Sequence, residues 1–342
     1  MTPKLFTGLA VAAAISAGLA AILYGSDTNW SSGAIPGKQL LPNLERQANN
    51  IAFIKLIQGE KALTFRQDKN EWIAEEHDGY PVKPEHMRTL VLQLSQARLV
   101  DAKTDQPAKH VILELENPNN KEAKSRQVQL LDKNKKPLVD IIVGKKLLDA
   151  LGGGRSGMYV RQTDENQTWL AGMDLNTDLD IKSWVDENIF SYKVSDIKGI
   201  EISYPGEEVL HIKPNDDKSG EFMFVGLPEG QTLKKDANAS AIARAFERLS
   251  LDDVKKLQNS DKDNIKATAT LRSKGVKIVF NLYERDTNSW LSIKAVTDGE
   301  SSEENKKFVS ELNKKIEEWS FKIPKPKAET LFKRWSYLTN TG

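Results

Sequence analysis

The chain contains no cysteine. Disulfide staples, thiolate metal sites and cysteine nucleophiles are therefore excluded. Charge of one sign is not in surplus either: 49 Lys and Arg stand against 48 Asp and Glu, with 4 His. A dedicated nucleic-acid binder neutralises phosphates with excess basic charge, so no nucleic-acid partner is expected. Wholesale disorder is disfavoured, because 39% of the residues are hydrophobic. The length of 342 residues suggests about two domains.

Long apolar runs are also scarce, with one exception. Leu5 to Tyr24 reads LFTGLAVAAAISAGLAAILY, 20 residues without charge or proline. As a helix it would span about 30 Å, the hydrocarbon thickness of a bilayer. Lys4 precedes the run and Asp27 is the first charge after it. The positive-inside rule then puts the amino terminus in the cytoplasm and the body outside. The expected location is a bacterial inner membrane, single-pass, with the body in the periplasm. A cleaved signal peptide is the competing reading, with small residues at Gly18 and Ala20. The run continues through Ala21, Ile22 and Leu23, and its basic flank holds a single Lys. Those features favour an uncleaved anchor. Lys4, Tyr24 and Trp30 are expected at the membrane interface, where amphipathic rings are favoured. Residues 1–25 are thus read as anchor and 26–40 as a small, polar linker. Residues 1–26 carry Lys4 and no acid, which leaves 48 basic and 48 acidic residues in the rest. The exported body is formally neutral.

Comparison of the chain with itself predicts a duplication. Ile51–Phe65, IAFIKLIQGEKALTF, resembles Ile197–Ile212, IKGIEISYPGEEVLHI, with Gly59-Glu60 aligned on Gly206-Glu207. Both alternate apolar and polar residues around the glycine, the pattern of a β-hairpin. A strand follows each, at Glu71–Ala74 and Glu221–Val225. A helix comes next: Met87, Leu90, Val91 and Leu94 share one face after Pro84, and Ile242, Ala245, Phe246 and Leu249 do so after Asn238. Leu99–Lys103 then resembles Leu251–Lys255. Further strands are expected at Val111–Leu115, Gln127–Leu131 and Leu138–Val143, and at Ala267–Leu271, Lys277–Tyr283 and Trp290–Val296. Met158–Arg161 and Thr168–Ala171 read as a hairpin, and Ile181–Ile189 as a short helix. Ser301-x-x-Glu304 reads as a capping box for a helix bearing Phe308, Leu312, Ile316 and Trp319. The fold class expected is α+β: two tandem β-β-β-α-β-β-β repeats, 41–193 and 194–342, each a mostly antiparallel sheet with a helix on one face, after a transmembrane helix.

Chemistry is hard to find in the sequence. His77, His86, His110 and His211 have no ligand spacing and no H-E-x-x-H context, so no metal site is expected. Gly152-Gly153-Gly154-Arg155-Ser156-Gly157 is the one glycine-rich run. A phosphate cradle leads into a helix, whereas this run leads into the β pattern Met158-Tyr159-Val160-Arg161. It reads as a flexible turn, and Gly153, Gly154, Arg155 and Tyr159 are candidate partner contacts. No G-x-S-x-G elbow or EF-hand loop is present. Paired acids such as Glu75-Glu76 and Asp252-Asp253 read as solvated charge. No catalytic residue and no cofactor is expected. Leu331, Phe332, Trp335 and Leu338 form an amphipathic tail. Docking on its own body is the favoured reading, because free monomers seldom expose aromatic patches. Phe332 and Trp335 are the tail's candidate partner contacts.

Gly157-Met158-Tyr159-Val160-Arg161, Thr168-Trp169-Leu170-Ala171, Lys182-Ser183-Trp184-Val185-Asp186, Ile197-x-x-Ile200-x-Ile202 and Trp319-Ser320-Phe321-Lys322-Ile323-Pro324 together resemble the domain-of-unknown-function 4340 family of bacterial membrane-anchored proteins. The resemblance covers most of residues 40–335, and its motifs look structural. It implies a non-enzymatic extracytoplasmic accessory part, found beside ABC-type export systems of the gliding-associated kind. It supplies no catalytic residues. The expected function is a periplasm-facing accessory or scaffold protein of a membrane transport complex, with the bilayer and a permease or related subunit as partners. The alternative is a periplasmic module binding lipid or glycan in a cleft between the repeats. A hydrolase site assembled from distant residues is a third, weaker reading.

Overall fold

A computed structural model describes residues 37–341. The Leu5–Tyr24 run, with Lys4, Tyr24 and Trp30, lies outside the described residues. Among the described residues no helix is long and apolar enough to cross a membrane. The chain divides into two compact units. The first holds residues 37–62 and Arg88–Thr177, and the second holds Leu63–Met87 and residues 178–341.

The strands of the first sheet are Phe53–Gln58 (β1), Lys61–Asp68 (β2), Glu71–Ala74 (β3), Tyr80–Val82 (β4), Arg98–Ala102 (β5), Arg126–Leu131 (β6), Pro137–Leu147 (β7), Gly157–Gln162 (β8) and Trp169–Gly172 (β9). Helices Leu44–Gln47 (α1) and Pro84–Gln96 (α2) accompany them. Within the first unit the order is β1-β6-β7-β8-β9-β5, antiparallel throughout. Alternation fixes which side is inward. Leu56 pairs with Val128, and Val128 with Ile141, and all three are fully buried. A one-residue slip would turn that row to solvent, so burial of about 1.5–3 kcal/mol per side chain holds the register.

From residue 178 onward the second unit has a single turn at Ile181–Ser183 and then Asn188–Ser191 (β10). Its strands continue as Ile197–Ser203 (β11), Leu210–Pro214 (β12), Phe222–Val225 (β13), Gln231–Leu233 (β14), Arg248–Ser250 (β15), Asp253–Lys256 (β16), Ala267–Ser273 (β17), Val276–Arg285 (β18), Asn288–Thr297 (β19), Trp319–Lys322 (β20) and Thr339–Thr341 (β21). Its helices are Ala239–Ala245 (α3), Asn259–Asp263 (α4), Glu303–Ile316 (α5), Lys325–Leu331 (α6) and Trp335–Leu338 (α7). The main sheet has the order β13-β12-β11-β17-β18-β19-β20-β16, and two small sheets pair β10 with β15 and β14 with β21. The row Ile202, Ala269, Phe280, Ile293 crosses four strands in register, and each member is at most 2% exposed. β5 and β16 each lie at the end of their sheet.

The expected fold class needs correction. Over the described residues the protein is mostly antiparallel β-sheet in several sheets, 38% strand and 24% helix, and is not a pair of β-β-β-α-β-β-β repeats. The expected strand at Val111–Leu115 is the clearest departure. Pro107–Leu113 is a 3-10 helix, with Val111 and Ile112 exposed. Proline starts the turn with its fixed φ, and Glu114 closes it in the left-handed region at φ 56°. This turn crosses β7 at Gly144, where any Cβ would fall 2.2 Å from the Leu113 carbonyl oxygen. A five-residue stretch with four apolar residues carries too little periodicity to separate strand from turn. Ile181–Ile189 is likewise no helix: its first residues form a three-residue turn and its end enters β10. The cap of α5 is Ser302, whose hydroxyl accepts from Asn305 N–H at 3.2 Å. Ser301 bonds the Gly275 carbonyl instead.

Candidate functional site

The loop between β7 and β8 holds the glycine run. Gly152, Gly153 and Gly154 are all left-handed, at φ 71°, 63° and 78°. Their Cβ positions open onto free space, so the requirement for glycine is conformational, not steric. The Asp149 carboxylate fastens the turn by accepting the Gly154 N–H at 2.7 Å. Arg155 follows, exposed, with Nη2 donating to the Leu151 carbonyl at 3.1 Å.

This turn forms one wall of an open cleft of about 1040 Å³ within the first unit. The cleft reaches Arg98, Leu99 and Val100 of β5, Leu151 of the loop, and Met173 just beyond β9. Its lining is mixed: aliphatic carbon of Leu99, Val100 and Leu151, the Met173 thioether, and the guanidinium groups of Arg98 and Arg155. Asp174 also lines it, and its carboxylate is neutralised by Lys146 Nζ at 2.6 Å. Neither Arg98 nor Arg155 forms an ion pair among the described residues. Arg98 Nη1 donates to the Gly37 carbonyl at 2.9 Å. The described lining of the cleft therefore carries a net positive charge.

The other expected contacts lie elsewhere. Gly153 is in the exposed turn, and Gly154 and Arg155 line the cleft. Tyr159 is half-buried in β8 opposite Leu170. In the second unit Phe332 and Trp335 are 3% and 6% exposed. Trp335 lies against Phe224 with ring centroids 5.7 Å apart, and its Nε1–H points at the Val209 carbonyl at 3.3 Å. The tail from Phe332 onward packs on its own unit and adds β21 beside β14. Sequence reasoning missed Arg98 and Met173. They come to the cleft only because β5 pairs with β9 across some seventy residues of chain.

The other clusters of polar groups are structural. The Tyr283 hydroxyl and Ser320 Oγ bond each other inside the sheet, and burial pushes the Tyr283 hydroxyl up to about 12. Arg285 pairs with the buried Asp261 at 2.6 Å. Among the described residues no three His, Asp or Glu side chains gather as metal ligands.

In the second unit His77 Nδ1 lies 2.9 Å from Asp253 Oδ1. Burial pushes the Asp253 carboxyl up, but hydrogen bonds from His77 and the Val254 N–H, with nearby positive charge, outweigh it. The net shift is downward from 3.8. A lowered folded value means stability present above pH 3.8 and lost as pH falls through the folded value. The urea stability gap between wild type and Asp253→Asn should therefore be widest near neutrality and shrink below pH 3.8. A gap independent of pH would refute the linkage.

The fold and cleft define a class: a two-unit, mostly antiparallel β protein with an open cleft whose lining includes two arginines. Over residues 72–274 the chain matches the family described as Domain of unknown function (DUF4340), and it belongs to that family. No curated protein and no solved structure matches it. Two of the family-like motifs have clear structural work. Arg161 closes Gly157-x-Tyr-Val-Arg and is buried, with Nε donating to the Leu115 carbonyl at 2.9 Å and Nη1 to the Thr163 carbonyl at 3.0 Å. Trp184, in Lys182-Ser183-Trp184, is fully buried.

Proposed function

We propose that the protein is a non-enzymatic accessory or scaffold component of a membrane transport complex of the ABC type. It acts from the extracytoplasmic face of a bacterial inner membrane, held there by the Leu5–Tyr24 run. The observation that carries the reading is that uncharged 20-residue run, joined by a short polar linker to a neutral body. The family motifs fit it, since Arg161 and Trp184 spend their side-chain donors on backbone carbonyls. Affinity purification of the full chain from membranes in mild neutral detergents is expected to recover a permease or ATPase subunit. Recovery of the chain alone across several such detergents overturns the proposal.

A second reading, a lipid- or glycan-binding module, is favoured by the volume of the cleft, which matches the upper range of ligand sites. Native mass spectrometry of the gently purified protein tests it. A bound lipid or sugar mass is expected, and a persistently empty protein dismisses it.

A further inference from the structure

Val111 and Ile112 of the first unit are exposed on a turn that is firmly held. Pro107–Leu113 is a 3-10 helix, so side chains three apart share a face. His110 and Leu113 share the inward face. His110 is 5% exposed, and its Nε2–H donates to the Asn166 carbonyl at 2.8 Å. The far end of the turn is fixed as well. The Leu115 N–H donates to the His110 carbonyl at 2.8 Å, and the Glu114 N–H to the Val111 carbonyl at 3.2 Å. The Leu113 carbonyl sits against Gly144, and the Leu115 carbonyl accepts from Arg161. The same period turns Ala108 with Val111, and Lys109 with Ile112, outward. All four are exposed, Val111 at 62% and Ile112 at 70%. Two large aliphatic side chains are thus presented to the outside by a pinned backbone.

Charge and size select what meets them. Lys109 on the turn and Lys145 beside Gly144 are exposed and form no ion pair among the described residues. Glu114, the acid that closes the turn, is half-buried. An aliphatic tip flanked by lysines matches the interface of a bilayer with anionic headgroups: the tip enters the acyl boundary and the lysine stems reach back to the headgroups. A tip of two side chains is small for a stable protein interface, which buries about 1,200 Å² or more. A weak lipid contact suffices for a tethered body. With the Leu5–Tyr24 run in the membrane, the twelve residues between Tyr24 and Gly37 reach at most about 43 Å when fully extended. The body is then held at a high local concentration of lipid.

We propose that the Pro107–Leu113 turn is a peripheral membrane contact: Val111 and Ile112 enter the interfacial layer of the bilayer, with Lys109 and Lys145 at its anionic headgroups. The inference rests on the anchored reading above, and it adds which surface of the first unit meets the lipid.

The lack of cysteine makes a site-specific test simple. The full chain carrying Ile112→Cys is labelled with an environment-sensitive NBD fluorophore. It is reconstituted into vesicles of phosphatidylcholine and phosphatidylglycerol in equal parts, with lipid doxyl-labelled near the headgroup as quencher. Asn134→Cys, at the exposed tip of the turn between β6 and β7, is the comparison site. The Ile112 label is expected to shift to the blue and be quenched, and the Asn134 label to do neither. Adding Lys109→Gln should weaken the contact about fivefold, the worth of one lysine at an anionic surface, read as a smaller quenched fraction. Lys109 is exposed, so this variant keeps the fold, and an unchanged circular dichroism melt verifies that. An Ile112 label as wet as the Asn134 label, equal quenching of both, or a Lys109→Gln chain quenched like its parent overturns the inference. Shielding of the Ile112 label in native membranes but not in lipid vesicles assigns the turn to a protein partner and also overturns it. Flotation separates this failure from that of the anchor. A chain that does not float with the vesicles removes the anchor and the turn contact together. A chain that floats with its Ile112 label in water removes the turn contact alone.

Discussion

Trp184→Ala is expected to cost the second unit about 3–5 kcal/mol of unfolding free energy, the range for emptying a buried aromatic site. Trp184 is fully buried, with its ring 4.8 Å from that of Phe65. Its indole N–H donates to the Asp178 carbonyl at 2.8 Å, and its own carbonyl accepts the Lys83 N–H at 2.8 Å. The side chain thus fastens the early segment Leu63–Met87 to the chain that resumes at 178. Alanine deletes the ring and leaves a cavity that the surrounding sheet cannot fill, because strand registers fix the backbone. Trp184→Phe keeps an aromatic ring against Phe65 and loses only the indole hydrogen bond, so its loss should be clearly smaller. Urea unfolding followed by a probe in the second unit measures both. A Trp184→Ala protein as stable as wild type would show that this site relaxes or hydrates at no cost.

Arg161→Met comes second, with an expected loss of about 2–4 kcal/mol, since each stranded carbonyl costs about 1–3 kcal/mol. Arg161 is 9% exposed and satisfies the carbonyls of Leu115, Gln162, Thr163 and Glu165. Burial lowers its pKa from the ordinary arginine value, and the four carbonyl oxygens offset that desolvation. Methionine has similar length and packs the stem, but it donates nothing. Arg161→Lys should rescue only part of the loss, because one ammonium cannot span carbonyls that lie on both sides of a planar fork. Amide exchange is the second readout: protection around Leu115 and the turn after β8 should fall in Arg161→Met. Unchanged protection would separate Arg161 from the loop it is assigned to hold.

These two residues also measure how legible the protein is. Both sit in motifs visible in the sequence, and both were readable as structural before their contacts were known. The strands of the second unit were legible for a similar reason. Val276–Arg285 alternates through its first half, Asn288–Thr297 is rich in apolar residues, and Asp286 and Thr287 turn the chain between them with positive φ. Two apolar-rich runs joined by so short a turn leave little choice of structure. Asn238 was a readable start for α3, since its side chain accepts the Ala241 N–H at 2.9 Å. Val111–Leu115 was not legible, because its conformation is decided by Pro107 and by Gly144 on a strand thirty residues later.

The cleft was half visible. The glycines and Arg155 announce an exposed turn, since consecutive left-handed positions admit little else. Nothing local announces Arg98, Leu99 or Met173 as their neighbours. Likewise, the amphipathic tail showed that Phe332 and Trp335 need covering, and only the tertiary structure supplied Phe224 and the Val209 carbonyl as the cover. The sequence alone determined the absence of thiol chemistry, the balanced charge of the body, the long strands and their turns. Those are properties of composition and of near neighbours along the chain. The order of the strands, the position of β5 at a sheet edge and the convergence of Arg98 with Arg155 were decided by tertiary structure. Such pairings depend on which buried rows match across the sheet, and that match involves residues far apart in the chain.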